Sequence, residues 1–145
     1  MTINIWFDDV NVGDEMPRWS RQTGFAHWNR YAAVNDEFVP FHMDDAAGRR
    51  AGNPQGAFGM GNLRYAYLVN ALRDWIGDEP EIREVGCQYR AINQKNDVLT
   101  VTGRVVEKFI DAGGHCVRLQ TDVLNQNGDA TCPGHAVVVL PVRNA

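Results

Sequence analysis

The chain has 145 residues, 22% of them charged, with a formal net charge of -4. That suits one globular domain with a real core and argues against a general nucleic-acid binder, which needs a basic face. No apolar run approaches the ~20 residues that span a bilayer, and Asp8 and Asp9 interrupt the only apolar run near the start. The expectation is a cytoplasmic protein, with no signal peptide, no membrane partner and no nucleic-acid partner. Cys87, Cys116 and Cys132 are odd in number and fit a reducing compartment as small core residues.

In chain order, Ile3, Ile5 and Phe7 alternate with Asn4, Trp6 and Asp8, which predicts a first strand over residues 3–10. Met16 to Thr23 reads as a second extended piece, broken by Pro17. Phe25, Trp28, Tyr31 and Val34 then have helical spacing, with Thr23 placed to cap the helix. Within Asn35 to Asp44, Pro40 pushes Val39 out of the helical region, so the acids and the histidine of this stretch are expected in a loop. Asp44 to Ala51 predicts a short helix, acidic at its start and basic at its end. Gly52 to Gly56 is a loop by composition. A main helix is expected over about Phe58 to Ile76, stopped by Gly77 and Pro80.

On a helical wheel that long helix is apolar over more than half a turn, so other structure should wrap it. Arg64 falls near 200°, in the middle of the apolar arc. A guanidinium there needs a carboxylate, carbonyls, a partner subunit or a route out, and Arg64 is expected to be buried or at an interface. From Glu81 the period changes to 2. Strands are predicted around Val85–Ala91, Leu99–Val105, Val117–Val123 and His135–Leu140, in a meander with turns at Asn93–Asp97, Asp111–Gly114 and Asn127-Gly128. The last strand is apolar throughout and should be central. No βαβ alternation, G-x-G-x-x-G or P-loop is present, so no nucleotide cofactor is expected. The histidines have no zinc spacing, and no metal is expected.

The chemistry concentrates in two stretches. In the first, Glu37 and His42 lie five residues apart, with Asp36 beside Glu37. A carboxylate and an imidazole aimed at one point can take a proton from one atom and give one to its neighbour, each worth roughly 10²–10⁴-fold in rate. Alternatively, Asp36 and Glu37 are solvated charges at a helix end and His42 is a satisfied structural histidine. In the second stretch, Gly56, Gly59 and Gly61 lead into the main helix. The Gly59 N–H is placed to hold a thioester carbonyl, and one such donor is worth about 3–4 kcal/mol. Alternatively, these glycines serve only a sharp turn and close packing.

These residues resemble the MaoC-like, R-specific enoyl-CoA hydratase branch of the hotdog superfamily. The family loop reads roughly Gly-Asp-x-Asn-Pro-Ile/Leu-His-x-Asp; here Asp36-Glu37-Phe38-Val39-Pro40-Phe41-His42-Met43-Asp44 keeps the spacing. The helix start, often Ala-His-Gly-Met, stands as Ala57-Phe58-Gly59-Met60, and Gly134 to Pro141 is similar to the last strand. The resemblance covers roughly residues 20–142. It implies an α+β hotdog fold over 1–145, an antiparallel sheet wrapped around a long helix.

It further implies a dimer, either of this chain or with another hotdog chain. The implied reaction is hydration of a 2-enoyl-CoA, or the reverse dehydration, with CoA entering only as part of the substrate. On that carry-over His42 is the catalytic histidine, Glu37 (or Asp36) the acid, and Gly59 the carbonyl donor. Val39, Phe41, Phe58 and Met60 line the pocket. Val39 replaces Asn and Phe58 replaces His, which makes the pocket more apolar and suits a bulky acyl group. The other readings are a hotdog thioesterase using Glu37 or Asp36, and a non-catalytic acyl-CoA-binding subunit beside an active partner.

Overall fold

The computed structural model describes residues 2–143. A five-stranded antiparallel sheet wraps one long helix. Its elements are β1 (Trp19–Gln22), α1 (Phe25–Asn35), α2 (Pro40–Met43), α3 (Asp45–Arg50), α4 (Gly61–Ile76), β2 (Glu81–Cys87), β3 (Val98–Asp111), β4 (Gly114–Leu124) and β5 (Gly134–Val139). The strand order is β1-β3-β4-β5-β2.

α4 forms because its apolar side chains recur at helical spacing. Leu63, Tyr67, Leu68, Ala71, Leu72, Trp75 and Ile76 are all buried. They meet Leu99, Val101, Val105, Val117, Leu119 and Val138 from the sheet in one core. Full burial of a Leu or Val side chain stabilises by about 1.5–3 kcal/mol, so this interface is the fold's main support. Gly77 ends the helix with φ at +92°, a conformation that L side chains avoid. Asp44 caps α3, its carboxylate accepting from the Ala47 N–H at 2.7 Å.

Several expectations change. Residues 3–10 form no strand: the segment has single ties, Asn4 N–H to Ile76 O and Phe7 N–H to Pro141 O, and then a 3-10 turn over Phe7–Asp9. Ile5 and Phe7 still pack on the core, so their apolar alternation reflects burial without a ladder. Thr23 does not cap α1; its hydroxyl accepts from the Trp28 indole at 3.0 Å instead. Pro40 does not exclude a helix but starts one, occupying the first position of the single turn α2, where a missing N–H costs nothing. α4 begins at Gly61, three residues later than predicted, because Ala57–Met60 runs extended.

The strands are also not a simple meander. β2 crosses to the far edge and pairs with β5, from Glu81 opposite Val139 to Cys87 opposite Gly134. β5 thus lies between β4 and β2, interior to the sheet as its apolar run predicts. β2 ends at Cys87, so Tyr89 and Ala91 lie past the ladder, in the loop that reaches back toward the start of α4.

Candidate active site

His42 sits in α2 and is 7% exposed. Phe41 and Phe58 stack at 5.2 Å, and both rings meet the imidazole edge-on. The His42 Nδ1 lies 2.7 Å from the Phe58 carbonyl oxygen. A carbonyl only accepts, so Nδ1 carries the hydrogen and Nε2 keeps its lone pair. Burial lowers the imidazole pKa below 6.5, opposed by the smaller effects of the Phe58 carbonyl and of nearby Glu37. The ring is therefore neutral at pH 7, with a base nitrogen free.

Glu37 follows the end of α1. Asp36 closes that helix in the left-handed region, φ 54°, its N–H donating to the Ala32 carbonyl. Asp36 is exposed, and among the described residues its side chain makes no hydrogen bond to the site. The two acids are thereby separated: Asp36 caps the helix and Glu37 turns toward α4. The Asn62 amide donates to Glu37 Oε2 at 3.2 Å, and the Tyr89 hydroxyl donates to Asn62 Oδ1 at 3.0 Å. Burial, with Cys87 and Cys132 nearby, pushes the Tyr89 hydroxyl up to about 12, so it stays a donor. That fixes which end of the Asn62 amide faces the carboxylate.

The extended Ala57–Met60 segment carries the Phe58 carbonyl that His42 meets. Asp45 accepts from the Ala57 N–H at 3.0 Å while the Lys95 ammonium pairs with the same carboxylate at 2.6 Å. Gly59 departs from expectation. Its N–H donates to the Asn93 backbone carbonyl at 2.9 Å, so it is already satisfied and does not stand free for a substrate carbonyl. Buried Asn93 packs directly on the Gly59 Cα, so that a Cβ there would strike its amide, and a Cβ on Gly61 would come within 2.5 Å of the Tyr89 ring. Close packing accounts for both glycines. The first turn of α4 has no side-chain cap, and its N–H groups lie at the positive end of the helix dipole.

Arg64 is buried, 4% exposed, as expected, but it has carbonyl partners and no carboxylate among the described residues. Its Nη1 donates to Ala91 O at 2.6 Å and Thr131 O at 3.1 Å, and its guanidinium lies over Tyr89. Burial lowers its pKa. Arg64 thus pins the Tyr89–Ala91 loop, which in turn carries the hydroxyl that orients Asn62. Val39 is half-buried, and Met60 is fully buried in the core cluster.

Of the sequence-predicted residues, Phe41, His42 and Phe58 come together in one ring cluster, and Glu37 lies near enough for its charge to act on the His42 imidazole. Asn62, Tyr89 and Asn93 join them without having been foreseen. Asn62 carried no signal of its own, since Asn70, Arg73 and Asp74 share its polar strip on α4.

No protein-family model matches the sequence, and no curated protein matches it significantly. Solved structures do. The R-hydratase PhaJ1 from Pseudomonas aeruginosa is 23% identical with a TM-score of 0.85, over 97% of this chain and 88% of that one. A MaoC-like dehydratase from Rhodospirillum rubrum is 21% identical with a TM-score of 0.82, over 97% and 99%. The ChsH1-ChsH2 complex from Mycobacterium tuberculosis contains a chain 16% identical with a TM-score of 0.78, over 90% and 98%. The fold is the hotdog fold in the form taken by R-hydratases and MaoC-like dehydratases.

Proposed function

We propose that the chain adds water to the double bond of a 2-enoyl-CoA, or removes it from a 3-hydroxyacyl-CoA, using His42 and Glu37. The observation that carries this reading is the His42 tautomer. The Phe58 carbonyl holds the Nδ1 hydrogen and leaves Nε2 as a neutral base, while Glu37, whose charge reaches the imidazole, is held by Asn62. His42 Nε2 takes one proton from water as the oxygen bonds to C3, while Glu37 accepts a hydrogen bond from the water's other O–H, which stays on the oxygen, and orients it. The electron pair of the double bond moves toward the thioester carbonyl, and the imidazolium then returns the proton to C2. Atoms and charge balance without a cofactor.

The growing enolate oxygen needs a donor. The uncapped N–H groups of the α4 first turn supply it, or Gly59 does so by exchanging Asn93 for the substrate. β1 and β2 are the edge strands of the sheet, and a second hotdog chain, the same or different, is proposed to cover one edge. The test is hydration of 2-enoyl-CoAs of short, long and ring-bearing acyl groups by purified protein, with free thiol followed in parallel. Hydration without thiol release supports the lyase; thiol release without hydration identifies a thioesterase.

One observation favours a second reading. Because the Gly59 N–H is already engaged, the chain also fits a non-catalytic acyl-CoA-binding subunit. Copurification of an active hotdog partner, with no activity from this chain alone, would establish that alternative.

A further inference from the structure

A groove of about 440 Å³ runs between α1 and α4. One end approaches Glu37. Tyr31 lines it, and Glu37 helps to push the Tyr31 hydroxyl pKa up, after burial. Leu63, next to the Asn62 that holds Glu37, forms part of its floor with Ala66. From Leu63 the groove follows α4 to Asn70, seven residues and roughly 10 Å along the axis.

Its charge is one-sided. Arg21, His27 and Arg30 line it, and no Asp or Glu does. The two arginines lie close enough that both lower the His27 pKa, after burial. Neither arginine pairs with a carboxylate among the described residues: Arg21 lies over the Trp19 ring at 5.0 Å, and Arg30 makes no salt bridge. Two unpaired arginines gathered on one groove oppose each other, and in a chain of net charge -4 that is not an effect of overall composition.

We propose that this groove receives an acyl group bearing an anion, such as a carboxylate, at the end remote from the thioester. The proposal rests on the hydratase reading for the position of the thioester. A hydrocarbon segment would lie on Leu63 and Ala66 and carry its carboxylate to Arg21 and Arg30, with His27 as a neutral hydrogen-bond partner. Guanidinium–carboxylate pairs are forked and charge-assisted, which makes them selective against a methyl group at the same place. The phosphates of CoA are the other anions on such a substrate, but the apolar floor of Leu63 and Ala66 suits an acyl chain better than a nucleotide.

The test needs no turnover. Glutaryl-CoA and pentanoyl-CoA have equal acyl carbon counts and differ in a terminal carboxylate against a methyl. In calorimetric titrations the wild type is expected to bind glutaryl-CoA at least about tenfold more tightly, with a preference that shrinks as salt is raised. The double variant Arg21→Gln, Arg30→Gln is expected to bind the two alike. Equal binding by the wild type would overturn the proposal. So would a double variant that loses the same factor for both ligands, which would assign the cations to the CoA phosphates. Binding of neither thioester would overturn both this proposal and the hydratase reading. A glutaryl preference without hydration of any 2-enoyl-CoA would support the groove and overturn the hydratase reading alone.

Discussion

The chain holds two acid–histidine pairs in opposite settings. On the β2–β5 edge, His135 Nε2 meets Glu84 Oε1 directly at 2.7 Å, and both side chains are about half exposed, 47% and 53%. At the site, His42 is 7% exposed, its Nδ1 is held by a backbone carbonyl, and Glu37 is held by Asn62. In the first pair the two groups satisfy each other and solvent screens them, so little is left for chemistry. In the second, each group is positioned by a third party, and the imidazole lone pair and carboxylate remain available. Supporting contacts, more than proximity of acid and base, separate a site from a surface ion pair.

That contrast breaks most sharply by removing the two histidines in turn. His42→Gln is expected to cut the hydration rate by roughly 10²–10⁴-fold, while His135→Gln leaves it within about twofold, both measured as initial rates on one 2-enoyl-CoA. Equal effects would erase the distinction. Glu37→Gln should lose a similar factor to His42→Gln. Glu37→Asp tests whether the longer side chain is needed: with Asn62 placed for Glu, a shift of ~1 Å should cost up to ~10²-fold. An increase in rate would mean that Glu37 is the weaker choice at this position.

Smaller effects sharpen the supporting contacts. Asn62→Ala and Tyr89→Phe should each lower kcat by up to about tenfold, the worth of one hydrogen bond of about 0.5–1.5 kcal/mol, with little change in KM. Asp36→Ala, which touches only the helix end, should leave kcat/KM unchanged. Gly59→Ala should lower stability by about 1–3 kcal/mol in thermal unfolding, because the new Cβ displaces Asn93.

The pH profile tests His42 further. Burial lowers the His42 pKa below 6.5. Activity through its neutral form should therefore rise along an acid limb lying below 6.5 and level off above it. The same shift bears on stability. The folded pKa is depressed relative to the unfolded one, so the stabilisation is present above 6.5 and is lost as pH falls through the folded value. His42→Gln should flatten both dependences.

How much of this was legible in the sequence depends on the range of each contact. α3 with its Asp44 cap, the periodic face of α4, the interior place of β5 and the burial of Arg64 all follow from local pattern. The crossing of β2 to pair with β5 does not, since strand pairing is decided by the whole sheet. The spacing of Glu37, Pro40 and His42 pointed to an acid and a histidine acting at one place. It did not show that Asn62 would hold the acid, nor that Asn93, 34 positions after Gly59, would occupy that N–H. Both are contacts between segments distant in sequence, and no period or motif encodes them.

The central claim is that His42 and Glu37, so supported, move a proton between water and a 2-enoyl thioester. It is tested most directly by incubating purified protein with crotonyl-CoA and with longer, ring-bearing and carboxylated 2-enoyl-CoAs, then quantifying 3-hydroxyacyl-CoA and free thiol. The account predicts 3-hydroxyacyl-CoA from at least one substrate, no thiol release, and loss of product in His42→Gln. No product from any substrate, or product undiminished in His42→Gln, would contradict it.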